Sequence, residues 1–351
     1  MMKKWVEYQN STDRRNYGVR TVDGKEVPEQ SDLATIPYIQ VQQCRGDHLT
    51  YDNSTPYIYS ATAYAAHSAD ILRRTAYILG KTDDEKRYTE LFENIKRAFN
   101  DAWVNDDGSV SYYGEVSSQT AHCGESVALD GSVTRYTYYA ENTPHCPSQT
   151  AYALAVDFDL IPKDKLKNTR KYFKNSILRN NGKLTVGFLG ISHLAPALSK
   201  VGLDDVAFKL LEQEDNPSWL YSVKNGATTI WERWNSYIAE TGTFGDVSMN
   251  SFNHYSYGAI GQWFFTDILG IRPVEFGYKS FMLAPKFGGC LTYAKGSFTS
   301  PYGKISSAWK LHDGKFTYDC TVPTNTTATL KLPNGDIHTL VDGSYHFEID
   351  V

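Results

Sequence analysis

The hydrophobic pattern of this chain changes its period near Gly270, and this change limits the folds that the chain can adopt. Before Gly270 apolar residues recur at helical spacing, as in residues 57–80. After it, apolar and polar residues alternate in short runs separated by turn-forming residues. A length of 351 residues is sufficient for two domains. We therefore predict a mainly helical domain over residues 1–270 and a β domain over residues 271–351.

The helical part is predicted from segments that have one apolar face. In residues 84–103, Tyr88 and Phe92 lie on such a face and charged residues lie opposite. Gly80 ends the preceding segment, and Asp83 and Asp84 are suited to cap the next, so the two segments predict a helical hairpin. The predicted helices cover residues 57–80, 84–103, 148–159, 163–180, 190–201, 203–213 and 251–269.

The part after residue 270 is predicted to be an antiparallel β module. Stretches such as GKFTYDCTVP and TTATLKLP alternate apolar and polar residues, and turns are expected at Asn334-Gly335 and Asp313-Gly314. About seven or eight short strands fit this part, which is typical of a β-sandwich.

Composition and charge exclude some classes of protein. A hydrophobic content of 41% and a charged content of 21% are ordinary for a globular chain. The net charge of −5 gives no basic field for binding phosphates, so nucleic acid is not an expected partner. No apolar run is long enough to span a membrane, so no membrane partner is expected either. The five cysteines show no metal-binding spacing, and we predict neither a metal nor another cofactor.

The densest unusual segment is PSWLYSVKNGATTIWERW, residues 217–234. It contains Trp219, Trp231, Glu232, Arg233 and Trp234. A carboxylate between two indoles is expected to be partly desolvated and therefore more basic, while a neighbouring arginine orients it. These are the properties of a glycosidase acid or base. The alternative is that the tryptophans belong to the core and that Glu232 and Arg233 form a surface ion pair.

A second segment, SFNHYSYGAIGQWFF, follows at residues 251–265. His254 opens an otherwise apolar helical pattern there. A histidine at a helix start is often a cap or a satisfied core group. Together with the first segment, however, His254 is a candidate for binding sugar hydroxyls.

The two segments together resemble the signature of glycoside hydrolase family 78, the bacterial and fungal α-L-rhamnosidases. The resemblance covers roughly residues 45–351. Further similar stretches are SQTAYALAVDFDLIP, VGFLGISHLAPALSKVG, PSWLYSVKNG, GYKSFMLAP and SPYGKISSAW. The resemblance implies an (α/α)6 toroid-type barrel, truncated at its N-terminus, followed by an antiparallel β-sandwich.

The family resemblance also implies chemistry and residue roles. An inverting mechanism on terminal α-L-rhamnose would use one carboxylic acid and one carboxylate base. By the matching motif Glu232 takes the place of the general base, and His254 would contact the rhamnose. Trp219, Trp231 and Trp234 would contribute to the wall of the subsite. The expected partner is an L-rhamnose-containing oligosaccharide or glycoside.

One family element is altered in this chain. The family has a Gly-Asp-Trp-Leu-like turn, and the matching stretch here is RGDHLTYDNSTP at residues 45–56, where His48 stands in place of the tryptophan. Asp47 and His48 are both candidate sugar contacts, with an imidazole at position 48 in place of the indole that would stack on the sugar. The alternative is a plain polar turn.

The family's general acid has no counterpart in residues 1–56, and fewer helical segments precede the sandwich than such a barrel needs to close. We therefore expect a fragment that is weakly active or inactive alone, a chain complemented by another polypeptide, or a diverged member with a new acid. A truncated barrel would expose apolar faces, so association through that surface is expected. The alternative functions are a non-catalytic carbohydrate-binding protein and, on the same helical scaffold, another glycosidase or a toroid-type lyase.

Overall fold

A computed structural model describes residues 1–10, 19–22, 25–28, 37–40, 46–51, 55–111, 124–127, 133–136 and 147–351. These residues form two compact units, Met1–Val201 and Gly202–Val351. The predicted domain boundary at residue 271, where helices give way to strands, lies within the second unit and stays a prediction. The predicted architecture, a helical part followed by a strand-rich part, is confirmed.

The first unit is built mainly from helices. They are α1 (Met2–Gln9), α2 (Tyr57–Ile78), α3 (Thr82–Trp103), α4 (Gln149–Asp157), α5 (Leu166–Leu178) and α6 (Phe188–Lys200). Two short hairpins pair β1 (Val19–Val22) with β2 (Lys25–Pro28) and β3 (Gly124–Val127) with β4 (Val133–Tyr136). Every residue of α4 from Gln149 to Val156 is buried, so this helix lies at the centre of the unit.

The predicted hairpin of α2 and α3 is present. The ring of Tyr59 in α2 lies 4.7 Å from the ring of Phe99 and 5.2 Å from that of Trp103, both in α3. Helix α3 begins at Thr82 without a side-chain cap, so the predicted cap at Asp83 or Asp84 was wrong. Asp84 lies instead in the first turn, where its charge interacts favourably with the helix dipole.

The helical part of the second unit is shorter and less regular. It comprises α7 (Asp204–Leu211), α8 (Trp219–Lys224) and a helical segment over Ser256–Ile268 that passes from 3₁₀ through α to π geometry. Between α8 and this segment in the chain, β5 (Tyr237–Ile238) pairs with β6 (Thr243–Phe244) in a short hairpin. The helix predicted for residues 251–269 therefore begins at Ser256, five residues later than expected. Residues 251–255 are not helical because the carbonyl of Ser251 and the amide of His254 form hydrogen bonds with residues 232 and 230.

Two four-stranded sheets follow. The strands are β7 (Ile271–Pro273), β8 (Ser280–Leu283), β9 (Tyr293–Ser300), β10 (Gly303–His312), β11 (Lys315–Val322), β12 (Thr327–Lys331), β13 (Ile337–Leu340) and β14 (Gly343–Asp350). Their orders are β14-β11-β10-β9 and β13-β12-β8-β7. The pairs are antiparallel as predicted, with one exception, since β8 and β12 are parallel.

Alternation along the strands builds the sandwich core. In β11, Phe316, Tyr318, Cys320 and Val322 are buried and the residues between them are more exposed. The predicted turn at Asp313-Gly314 joins β10 to β11, with both residues at positive φ (48° and 75°), as two-residue hairpins favour. Within the described ranges, no helix has the length and apolarity that a membrane crossing requires.

Candidate active site

Glu232 is held by a reciprocal pair of hydrogen bonds to Ser251. The Glu232 amide donates to the Ser251 carbonyl at 2.8 Å. The Ser251 amide donates to Oε2 of Glu232, also at 2.8 Å. Glu232 is half-buried, and its Oε1 accepts no hydrogen bond from any residue that the structure describes. The carboxylate is therefore oriented by one oxygen while the other remains available to a ligand or to water.

The chain segments around this pair run side by side. The amide of His254 donates to the carbonyl of Ile230 at 2.8 Å, and the hydroxyl of Thr229 donates to the carbonyl of Phe252. We call residues 229–232 and 251–254 the paired segments. Residues 251–254 thus position Glu232 through their backbone. The sequence pattern had indicated only the side chain of His254 as a functional group.

The tryptophans of the GATTIWERW motif are buried. Trp231 is 6% exposed and Trp234 is 2% exposed. Trp234 stacks on Tyr257 at 3.8 Å between ring centroids and forms a T-shaped pair with Trp219 at 5.5 Å. The indole N–H of Trp219 donates to the Tyr257 carbonyl at 2.9 Å. Trp219 and Trp234 therefore brace the segment that carries Glu232, and sugar contacts at these rings stay predictions.

The side chain of Arg233 does not orient Glu232. Its guanidinium lies 3.6 Å from the carboxylate of Asp246 and donates to the carbonyl of Met249 at 3.4 Å. The expectation that Arg233 orients the neighbouring carboxylate was therefore wrong, and so was the alternative of an ion pair between the two. The acceptor at Asp246 was missed because its loop carries no distinctive pattern.

His254 lies at the start of the last helical segment and is half-buried. Its Nδ1 accepts a hydrogen bond from the amide of Ser256 at 3.3 Å. This bond makes Nε2 the nitrogen that carries the proton of the neutral ring. The ring also stacks on that of Tyr255, 5.2 Å away and 14° from parallel. His254 is thus a helix-start residue, as one reading of the sequence had it, with a defined donor at Nε2.

A groove of about 480 Å³ opens beside the paired segments. Its lining residues are Asn225, Gly226, Ala227, Thr228, Thr229, Trp231, Tyr237, Phe244 and Phe252. We call it the aromatic groove. Glu232 is not among its lining residues, although Trp231 precedes Glu232 in the chain.

Asp47 lies in the first unit, where it caps helix α6. Its Oδ2 accepts from the Gly187 amide at 2.8 Å and from the Thr150 hydroxyl, and its Oδ1 accepts from the amides of Leu189 and Gly190 at 2.8 and 3.0 Å. Burial raises the pKa of the Asp47 carboxyl, while these four hydrogen bonds act in the opposite direction. Because a carboxylate accepts about four hydrogen bonds, its acceptor capacity is used.

His48 follows in the same turn and is partly buried. Its ring meets that of Phe188 edge-on at 5.4 Å, and its carbonyl accepts from the Phe188 amide at 2.9 Å. Asp47 and His48 therefore share a role at the start of α6, whereas the other candidate residues lie in the second unit. Direct sugar contacts at both residues stay predictions.

No cluster of three or more metal-ligating side chains occurs in the part of the chain that the structure describes. Two of the cysteines are described, Cys290 at the surface and Cys320 in the core, and both are free thiols. The remaining three cysteines, Cys44, Cys123 and Cys146, lie outside the described residues.

Comparison with known families matches nearly the whole chain. Residues 1–268 match the bacterial alpha-L-rhamnosidase 6 hairpin glycosidase domain, and residues 270–347 match the bacterial alpha-L-rhamnosidase C-terminal domain.

Comparison with individual proteins gives the same result. An alpha-L-rhamnosidase of Formosa agariphila is 33% identical over 97% of this chain and 31% of its own length. One of Streptomyces avermitilis is 38% identical over 82% of this chain and 24% of its own length. The chain thus spans less than a third of the length of these relatives.

Solved structures are also similar. The crystal structure of the Streptomyces avermitilis alpha-L-rhamnosidase complexed with L-rhamnose has a TM-score of 0.79 at 31% identity, covering 99% of this chain and 30% of that one. An alpha-L-rhamnosidase from Aspergillus terreus has a TM-score of 0.71 at 31% identity, covering 85% of this chain and 31% of that one.

Proposed function

The chain belongs to the bacterial α-L-rhamnosidase family of six-hairpin glycosidases, and we propose that it supplies the general base of an enzyme that removes terminal α-L-rhamnosyl residues with inversion. The substrate would be an L-rhamnose-containing oligosaccharide or glycoside. We further propose that residues 1–270 are part of the catalytic barrel and that residues 271–351 are a separate sandwich domain. The ranges of the two matching family domains support this division.

The observation that carries the proposal is the geometry of Glu232. The Ser251 amide holds Oε2 at 2.8 Å, which fixes the direction of the carboxylate without using Oε1. In inverting hydrolysis a carboxylate takes a proton from the attacking water while an acid protonates the leaving oxygen from the opposite face of the sugar. An oriented carboxylate with one unoccupied oxygen is suited to the first of these tasks.

The candidate residues of the second unit would act around that carboxylate. We propose that Nε2 of His254 donates to a rhamnose hydroxyl and that Trp231, Trp219 and Trp234 shape the wall of the subsite. For Asp47 and His48, which lie in the first unit at the start of α6, we keep the proposal of a direct sugar contact. The family's general acid has no counterpart in residues 1–56, so we expect little or no activity of this chain alone.

The test is a chimera in which residues 1–351 replace the matching part of the Streptomyces avermitilis enzyme. Glu232→Gln keeps the size of the side chain and removes its basicity, and hydrolysis of a chromogenic α-L-rhamnoside should fall by roughly a hundredfold or more. Glu240→Gln is the matched control, because Glu240 is an exposed glutamate eight residues further along. Equal turnover by Glu232→Gln and the parent chimera would refute the assignment of the base.

The chain also has apolar surface suited to association. Tyr77, Ile78 and Leu79 end helix α2 and its cap with exposures of 67%, 45% and 64%. Large contiguous apolar patches on a surface favour association. We propose that the isolated chain associates through such surface; a monomeric, soluble and cooperatively unfolding sample in sedimentation and thermal unfolding experiments would speak against it.

The alternative of a non-catalytic carbohydrate-binding protein is not favoured. The relatives described above are named as rhamnosidases, and both halves of the chain match domains of that family.

A further inference from the structure

The N–H that Glu232 accepts belongs to the peptide bond between Asn250 and Ser251. Its nitrogen lies 2.8 Å from Oε2 of Glu232. Because a peptide bond is planar, the direction of this N–H follows from the backbone conformation of Asn250. A contact that fixes Asn250 therefore also fixes the donor that orients the proposed base.

The side chain of Asn250 is anchored to a tight turn formed by residues 233–236. Its Nδ2 donates to the carbonyl of Ser236 at 2.8 Å, and Ser236 is fully buried. The Ser236 amide donates to the carbonyl of Arg233 at 3.3 Å and closes the turn. The Ser236 hydroxyl accepts from the amide of Arg233 at 3.2 Å and donates to its carbonyl at 3.1 Å. The turn is thus a well-bonded support, and it begins at the residue that follows Glu232.

These hydrogen bonds close a ring that contains both Glu232 and Ser251. From Glu232 the chain enters the 233–236 turn, and the carbonyl of Ser236 receives the side chain of Asn250. Ser251 comes next in the chain, and its amide returns to the carboxylate of Glu232. A donor held in such a ring is already oriented before substrate binds, which is the property of a preorganised active site.

A second set of contacts holds the residues that precede Asn250. Oδ1 of Asp246 accepts from the amide and the hydroxyl of Ser248 at 2.8 and 2.6 Å, and Oδ2 lies 3.6 Å from the guanidinium of Arg233. The same guanidinium donates to the carbonyl of Met249 at 3.4 Å. Residues 246–249 are therefore tied to the turn that also anchors Asn250.

We propose that Asn250 is a positioning residue for the Glu232 carboxylate. Its side-chain amide holds the peptide of residues 250 and 251 against the 233–236 turn, so that the Ser251 amide is directed at Oε2 of Glu232. Asn250 acts through Ser251 rather than on the carboxylate itself. The importance of this for catalysis rests on the proposed function, whereas the anchoring of the Ser251 amide rests on the hydrogen bonds alone.

The first test is hydrogen exchange at the Ser251 amide of the chimera, followed by mass spectrometry of short proteolytic peptides. Asn250→Ala removes the anchor and should speed exchange at this amide by roughly tenfold, because the bond to Glu232 opens more often. Asn100→Ala is the matched control and should leave this amide unchanged. The Nδ2 of Asn100 also donates to a distant carbonyl, that of Leu160 at 2.8 Å, but in the first unit.

Asp246→Ala is a second variant, which keeps the proposal testable if Asn250→Ala does not fold. The Asp246 side chain is 40% exposed, so its loss should be tolerated. It loosens residues 246–249 but leaves the Asn250 anchor, and we expect exchange at Ser251 to rise by a smaller factor, roughly threefold.

The second test is steady-state kinetics of the same chimeras. Asn250→Ala should lower kcat by roughly tenfold and change KM by less than about twofold, because a misdirected base slows the reaction rather than the binding of substrate. Ser251→Pro removes the same N–H, so adding Asn250→Ala to it should cause little further loss of kcat. A residue that only stabilised the fold would give losses that add.

The outcomes separate this proposal from the proposed function. Full turnover by Glu232→Gln together with faster exchange in Asn250→Ala would refute the base and leave the anchoring of the Ser251 amide standing. The positioning role is overturned if exchange at Ser251 or kcat stays at the parent value in a chimera that depends on Glu232. It is also overturned if the kcat losses of Asn250→Ala and Ser251→Pro are additive.

Discussion

Glu232 and Ser251 exchange two hydrogen bonds of 2.8 Å, one between their backbones and one from the Ser251 amide to the Glu232 carboxylate. The second bond uses a main-chain donor, so it does not depend on the identity of the side chain at position 251. It couples the direction of the proposed base to the path of the chain that leads into the last helical segment.

Replacing Ser251 by proline tests this coupling because it removes the donating N–H. A hydrogen bond to a charged group contributes about 1.5–3 kcal/mol, so kcat of the chimera should fall by roughly ten- to a hundredfold while KM changes little. Ser251→Ala keeps the N–H and is the matched control. Steady-state kinetics would check both variants, and an equal loss of kcat in the two would show that the amide is not responsible.

Asp47→Ala should destabilise the first unit rather than act on the chemistry. The change leaves the amides of Gly187, Leu189 and Gly190 and the hydroxyl of Thr150 without their acceptor in a buried place. We expect the free energy of unfolding to fall by at least about 2 kcal/mol.

Urea denaturation would measure the effect of Asp47→Ala. Asp101→Ala, at an exposed position near the end of α3, is the control and should change stability by less than about 0.5 kcal/mol. An unchanged urea midpoint for Asp47→Ala would contradict the capping role and return Asp47 to the sugar-contact hypothesis.

The periodicity of the sequence was sufficient to predict the helical and strand-rich parts because each depends on local spacing of apolar residues. Phe92 and Tyr88 are buried on one face of α3 as their spacing indicates, and Asp313-Gly314 forms the turn that its positive-φ preference favours. Glu232 was found from its motif, since indoles beside a carboxylate form a rare local pattern.

The arrangement around Glu232 could not be predicted because it depends on contacts between residues far apart in the chain. Arg233 pairs with Asp246, thirteen positions away, rather than with its neighbour. The non-helical path of residues 251–255 follows from hydrogen bonds to residues 230 and 232, which override a helical pattern. Helix α8 was missed because it is only six residues long and begins with a Ser218 cap that is inconspicuous in the sequence.

His67 should make the stability of the first unit depend on pH. Its ring stacks on that of Phe158, with 4.1 Å between the centroids and 11° between the planes. Burial, above all, lowers the pKa of His67 from its ordinary value of 6.5, and the neighbouring His193 lowers it further. The charges of Asp70 and Asp157 act in the opposite direction, and that of Arg74 lowers the pKa as well. When the pKa of a base is lower in the folded than in the unfolded protein, protonation favours unfolding. The resulting contribution to the free energy of unfolding is fully present above the unfolded-state pKa and is lost as the pH falls through the folded-state pKa. The free energy of unfolding should therefore begin to fall below about pH 6.5.

The variant that tests this pH dependence is His67→Gln, which cannot take up a proton. Urea midpoints from about pH 8 to about pH 5 should fall less steeply for His67→Gln than for the parent chain. His312→Gln, at a position whose side chain is 89% exposed, is the control and should follow the parent curve. Superimposable pH profiles of His67→Gln and the parent would count against the role of His67.

We expect the buried carboxylate of Asp267 to require at least one of two neighbouring cations, Arg272 or Lys286, for the protein to keep its stability. Its side chain is 1% exposed and accepts from Arg272, while the Nζ of Lys286 lies 3.4 Å away and the hydroxyl of Thr266 donates at 2.8 Å. Arg272→Ala or Lys286→Ala alone leaves one cation, so each should cost about 1 kcal/mol of unfolding free energy.

The double variant Arg272→Ala/Lys286→Ala removes both cations that contact the Asp267 carboxylate among the described residues, and a buried carboxylate left unpaired in this way costs about 3–5 kcal/mol. The two changes should therefore be more than additive in a double-mutant cycle measured by urea denaturation. Lys295→Ala/Lys304→Ala is the matched control, because it removes two exposed lysines of the same unit and therefore the same number of positive charges. Additive losses in the first cycle would mean that the stability of the buried Asp267 carboxylate does not depend on these two cations.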